Sequence, residues 1–188
     1  MQMSIATAAT SQERGGLRTV LWRVRQFGHA IDSRSDPAVD VELRRLLGSD
    51  AQWRLLARLT PFDRAHHLRV HRLLVEAGHD DPDLLLAGLL HDVGKADERG
   101  RVSVPHRAVH VLLARLAPSL LNRLAGNAGW FRHGLWLSLR HAEIGACMVA
   151  AAGGSQRCCA LIAHHSAPSS SADPLLAALV AADNAAIR

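Results

Sequence analysis

Seven side chains in this sequence could together do metal chemistry: His66, the adjacent pair His91-Asp92, His141, the pair His164-His165, and Asp183. Imidazoles and carboxylates without thiolates suit Zn, Mn, Fe or Co rather than a structural cysteine-rich site. The sharpest of these signals is the stretch Leu84 to Lys95. An apolar run opens after Asp81-Pro82, with Asp at the N-cap and Pro at the first helical position, and stops at Gly94, a residue suited to the left-handed turn that ends a helix. It finishes on an imidazole and a carboxylate. A core helix has no packing reason to end on two polar groups, and burying them unpaired would cost several kcal/mol. A metal ion coordinating both removes that cost.

Each ligand needs an element to position it. Thr60-Pro61-Phe62-Asp63 starts a long helix ending near Gly78 and carrying His66, His67 and His71. His66 and Val70 share a face, as do His67 and His71, and periodicity alone does not say which histidine points inward. Leu137 to Ala152 reads as a helix bearing His141, and Gly153-Gly154 ends it. Ser155 caps a helix from Gln156 to about His165, and Pro174 starts a last apolar helix with Asp183 in it. Other helices are expected near 38–47, 51–59, 102–116 and 120–125. Gly126 to Gly134 is rich in glycine yet carries Trp130 and Phe131, and is expected to be a mobile loop. No strand periodicity and no internal repeat is visible.

The composition bounds the rest. The 188 residues suffice for one domain with a sizeable core, and the 48% hydrophobic content, with no Tyr and three Phe, favours helix over sheet. The expected fold class is all-α. No window reaches the roughly 18 apolar residues of a membrane span, and no compact apolar core of a secretion signal stands at the N-terminus. Cys147, Cys158 and Cys159 form no disulfide framework, so reduced thiols and a cytoplasmic setting are expected. The formal charge is +5 and unevenly spread. Six arginines (Arg101, Arg107, Arg115, Arg123, Arg132, Arg140) and no acid lie between 101 and 140, while acids outnumber bases eight to five between 60 and 100. A basic half beside an acidic, histidine-rich half fits a metal site with an anionic substrate. Leu17 to Ile31 reads as a basic amphipathic helix that packs on the domain or, as the less favoured alternative, makes weak contact with a membrane surface. Nucleic-acid binding has only charge in its favour. An oligomer is compatible with the sequence.

The order His…His-Asp…His…His-His…Asp resembles the HD-domain superfamily of metal-dependent phosphohydrolases. His66-His67-Leu68-Arg69-Val70 is similar to the first histidine's context, and Leu89-Leu90-His91-Asp92-Val93-Gly94-Lys95 to the central motif. His141-Ala142-Glu143 resembles the middle histidine of the two-metal branch, Ile162-Ala163-His164-His165 its paired histidines, and Ala181-Ala182-Asp183 the closing Asp. The resemblance covers about 60–186 and implies a single HD-type helical bundle at 60–188, preceded by a tail and accessory helices at 1–59.

It further implies that His66, His91, Asp92 and Asp183 hold one metal. Asp92 would bridge to a second metal on His141, His164 and His165, and Lys95 would face the substrate phosphate. The cofactor is then one or two divalent ions among Mn, Fe, Zn, Co and Ni. The implied activity is metal-dependent hydrolysis of a small phosphorylated substrate, a phosphomonoester or phosphodiester, a nucleotide among the candidates. A mixed-valence di-iron oxygenase and a non-catalytic metal-stapled binding module are the alternatives. The Gly-Tyr-Pro signature of cyclic-di-GMP phosphodiesterases is absent after His165, where Ser166-Ala167-Pro168 stands. Lys95-Ala96 replaces the Glu-Asp pair of guanosine-tetraphosphate hydrolases. No general acid is identifiable, and His29, His67, His71, His79, His106, His110 and His133 receive no role.

Overall fold

The computed structural model describes residues 36–166 and 172–187; the expected helix at 17–31 lies outside them. The described residues form nine α-helices and no strand. In chain order these are α1 (Pro37–Leu46), α2 (Asp50–Ala57), α3 (Pro61–Glu76), α4 (Pro82–Leu90), α5 (Val104–Leu116), α6 (Pro118–Leu124), α7 (Trp130–Ala151), α8 (Gln156–His164) and α9 (Pro174–Ala186). A single 3₁₀ turn, Val93–Lys95, follows α4. Among these residues no helix is long and apolar enough to cross a membrane.

Local chemistry sets most of the helix starts. The side chains of Asp36, Ser49, Thr60, Asp81, Ser155 and Asp173 each accept a hydrogen bond from a backbone N–H of the first turn of the helix that follows. Four of the six are followed directly by proline, whose missing N–H costs nothing there. Gly78 and Gly153, at φ +84° and +83°, provide the left-handed turns after α3 and α7.

The main core joins α1 to α4 with α8, α9 and the end of α7. Leu43, Leu56, Leu68, Val70, Leu74, Leu84, Leu90, Ile162 and Leu179 are among its fully or almost fully buried members. Burying each leucine stabilises the fold by about 1.5–3 kcal/mol relative to leaving it exposed. The buried apolar side chains of the segment 102–142, Val102, Leu121, Leu135, Leu137 and Ala142, stand apart from this cluster. There α5 packs on α6 and on α7, and α7 in turn packs on α8 and on the 3₁₀ turn.

Two sequence expectations change. The aromatic stretch is not a loop, because α7 begins at Trp130 and only four residues precede it, ending in Gly129 at φ +70°. Gly134 is helical and is there for proximity: a Cβ would fall 2.3 Å from His106 Nε2. Gly94 is likewise not left-handed. A Cβ on it would lie 2.1 Å from the His141 carbonyl oxygen and 2.6 Å from the Gly145 amide nitrogen, so glycine is what lets the 3₁₀ turn rest on the backbone of α7.

Candidate metal centre

Asp92 sits where α4 gives way to the 3₁₀ turn, at φ −107° and ψ 8°, the sparsely populated bridge region in which many active-site residues are found. Its two carboxylate oxygens face opposite ways. Oδ2 contacts Lys95 Nζ and lies 3.5 Å from His91 Nε2, while Oδ1 lies 3.3 Å from His141 Nε2 and 3.5 Å from His165 Nε2. On the His91 side, Asp183 Oδ1 stands 3.5 Å from His91 Nε2 and 2.9 Å from His66 Nε2. Two triads result, His66-His91-Asp183 and Asp92-His141-His165, each with ligand atoms within 4.8 Å of one another.

These groups fit metal ions, and the imidazoles show why. The Nδ1–H of His91, His141 and His165 each donates to the carbonyl three residues upstream, on Gly88, Ser138 and Ile162, at 3.1, 3.0 and 2.7 Å. That leaves the Nε2 of each directed at the carboxylates, the atom from which a bound metal would displace a proton. Such outer hydrogen bonds select the tautomer that a metal requires. His91 is fully buried, and its Nε2 has no hydrogen-bond partner. The 3.3–3.5 Å gaps are too long for good hydrogen bonds, yet two ligands each about 2.0–2.1 Å from a tetrahedral ion lie about 3.4 Å apart.

The sequence-predicted residues divide accordingly. His66, His91, Asp92, His141, His165 and Asp183 are brought together, and Lys95 lies on Asp92. His164 is exposed and belongs to neither triad; consecutive helical side chains point about 100° apart, and at this helix end only His165 is turned toward Asp92. Of the pair on α3, both are drawn in. His66 reaches Asp183, while His67 donates its Nδ1–H to the Leu89 carbonyl at 2.6 Å and stacks on His91 with centroids 4.5 Å apart. His67 with His91 and Asp92 makes a third group within ligand distance.

The centre opens into a cavity of about 420 Å³. Besides Lys95 and the ligand candidates, its wall includes Phe62, Asp63, Arg69, Arg107, His110 and Ser138. Asp63, which reads in the sequence as a helix-start acid, is buried and receives both Thr60 Oγ1–H at 2.7 Å and the Arg107 guanidinium at 2.7 Å. Of the six arginines between 101 and 140, Arg107 is the one that reaches this cavity. The residues on α5 could have been found from their spacing, since Arg107, His110 and Val111 fall on one helical face.

Protonation and folding are linked inside the centre. Burial disfavours charge on His91, but Asp92 and Asp183 override it and hold the imidazolium up to about 10. Burial and the neighbouring His91 charge push His67 down to about 3, and burial pushes His141 down to about 4. Burial alone would raise Asp92, yet Lys95 and His91 hold it well below the usual carboxylate range. The consequence for the metal-free protein follows by linkage. His91, raised from 6.5, adds stability that is complete below pH 6.5 and is lost as the pH rises toward 10. His67 and His141, depressed from 6.5, take up protons in the unfolded chain first, so stability falls as the pH drops from 6.5 toward 4. Thermal unfolding in chelator should therefore give a melting temperature that peaks near pH 6.5 and declines on both sides. A melting temperature that stays flat from about pH 5 to about pH 9 would contradict this linkage.

No curated protein and no solved structure matches the chain. The model of the HD domain matches residues 64–186, the span that carries every ligand of both triads. That match covers well over half of the sequence, and the chain belongs to the HD-domain family.

Proposed function

We propose that this protein is a metal-dependent phosphohydrolase that cleaves a small phosphomonoester or phosphodiester, with nucleotides among the candidate substrates. One observation carries the reading. Asp92, a member of one imidazole-rich triad, reaches His141 and His165 through one carboxylate oxygen and His91 of the other triad through the second, at the floor of a cavity that also holds Lys95, Arg69 and Arg107.

His66, His91, Asp92 and Asp183 would hold one divalent ion, and Asp92, His141 and His165 a second, with His164 left out of the set. When bound, such ions acidify water to near-neutral pKa and draw charge from phosphoryl oxygens. The chain's own groups do the rest. Lys95, fixed against Asp92, places an ammonium beside the site where phosphate charge must be met. Arg69 lines the same cavity, tied to the Ala186 carbonyl. Phe62, Val102 and Val111 give the cavity apolar wall on which the organic part of an ester can rest.

The test is metal analysis of the purified protein, followed by phosphate release from a panel of phosphomonoesters and phosphodiesters with Mn²⁺, Co²⁺, Fe²⁺, Ni²⁺ or Zn²⁺. We expect bound transition metal and turnover that chelator removes. Iron with an oxygen-dependent spectrum and no phosphate release would select the oxygenase instead, and bound metal with neither would select the binding module.

A further inference from the structure

One side of the cavity comes from α5, and it carries a histidine that belongs to neither triad. Arg107, His110 and Val111 line the cavity from a single face of that helix. His110 Nδ1 lies 2.9 Å from Ser138 Oγ on α7. Its Nε2 has no partner among the described residues. Ser138 does two things at once: its hydroxyl fixes the His110 ring, and its main-chain carbonyl accepts the Nδ1–H of His141 at 3.0 Å. A half-buried imidazole held at one nitrogen and open at the other, on the wall of a cavity of about 420 Å³, is placed to exchange a proton with whatever fills it.

We propose that His110 is the group that protonates the leaving oxygen during ester hydrolysis, with Ser138 as its positioning residue; this deepens, and rests on, the phosphohydrolase reading. In the step, the oxygen of water bonds to phosphorus and the ester P–O bond breaks. The electron pair of that bond stays on the departing oxygen, which takes the Nε2 proton of the His110 imidazolium to become an alcohol. The proton released by the attacking water returns through solvent to His110. Ester and water become alcohol and phosphate, and nothing is oxidised or reduced. In the free protein, burial and then the Lys95 charge hold His110 below its ordinary value. The charged groups that share the cavity with it are Lys95 from the 3₁₀ turn, Arg107 from α5, Asp63 and Arg69 from α3, Asp92 after α4 and Asp183 from α9. A phosphate anion arriving beside Lys95 offsets that charge and favours the imidazolium.

The experiment compares two esters on the full-length, Mn²⁺-loaded protein. Butyl phosphate needs its leaving oxygen protonated, whereas p-nitrophenyl phosphate does not. His110→Gln should lower kcat on butyl phosphate by about 10²–10⁴-fold, and by less than about tenfold on p-nitrophenyl phosphate. Metal content and melting temperature should stay at the wild-type values. Ser138→Ala should show the same selectivity at smaller size, and Ser138→Thr, which keeps the hydroxyl, should recover the alkyl ester. Equal losses on both esters, or full alkyl-ester turnover in His110→Gln, would overturn the assignment while leaving the phosphohydrolase reading in place. A wild-type protein that releases phosphate from neither ester nor any other in the panel overturns both.

Discussion

Asp92→Ala is expected to abolish metal-dependent turnover and to remove the stabilisation that metal confers. The carboxylate meets His91 and Lys95 through one oxygen and His141 and His165 through the other, so it is the contact that joins its own triad to the His66-His91-Asp183 triad. Loss of a partner that merely orients a ligand costs about 10–100-fold in metal affinity or activity; deleting the shared carboxylate should exceed that. In the wild type, saturating metal should raise the melting temperature, since an ion at 100 times its Kd adds about 2.7 kcal/mol. The variant should melt at one temperature with and without metal. It should also be intrinsically less stable, because the buried imidazolium of His91 loses its principal counter-charge. Phosphate release, metal stoichiometry and melting curves measure all three. Wild-type turnover in this variant would defeat the shared-ligand geometry.

The second large effect concerns a residue with no side chain. Gly94→Ala must push apart two backbones, since the new Cβ would sit 2.1 Å from the His141 carbonyl oxygen and 2.6 Å from the Gly145 amide nitrogen. No rotamer relieves a clash with main chain. Overpacking of a core typically costs about 1–3 kcal/mol and occasionally more; here about 3 kcal/mol or more is expected. The damage is also functional. The 3₁₀ turn joins Asp92 to Lys95 and rests on the backbone of His141, so any separation widens the second triad. Gly100→Ala is the control: nothing lies within 4 Å of its added Cβ, and its φ is ordinary, so a change within about 0.5 kcal/mol is expected. Chemical denaturation of the three proteins decides it. Equal midpoints for Gly94→Ala and wild type would refute the close approach.

What the sequence could tell, and what it could not, separates along physical lines. Helix starts at Thr60, Asp81, Ser155 and Pro174 were readable because a capping side chain, followed by proline in every case but Ser155, acts within four residues. The order of ligands was readable because coordination chemistry limits the residue types. Choices that depend on packing were not readable. Whether His66 or His67 turns inward has no local answer, and the fold uses both, one toward Asp183 and one beneath His91. That His165 rather than His164 joins His141 depends on how α8 meets α7. Gly94 and Gly134 look in the sequence like punctuation, yet each marks a contact with a distant segment, α7 in one case and His106 in the other. The helical spacing of Arg107, His110 and Val111 marks a shared face, but only the placement of Ser138, 28 residues on, shows how the His110 ring is held.

The separation of the 102–142 packing from the main core has an evolutionary consequence. The ligands His66, His91, Asp92, His165 and Asp183 stand on elements knit together by that core, whereas Arg107 and His110 stand on α5, which contributes nothing to it. Mutations on α6 and on the positions of α5 that touch neither Asp63 nor α7 can therefore accumulate without loosening that frame. Under the phosphohydrolase reading proposed above, a change of ester would then require new side chains on the open face of one helix, with the six ligand candidates left in place.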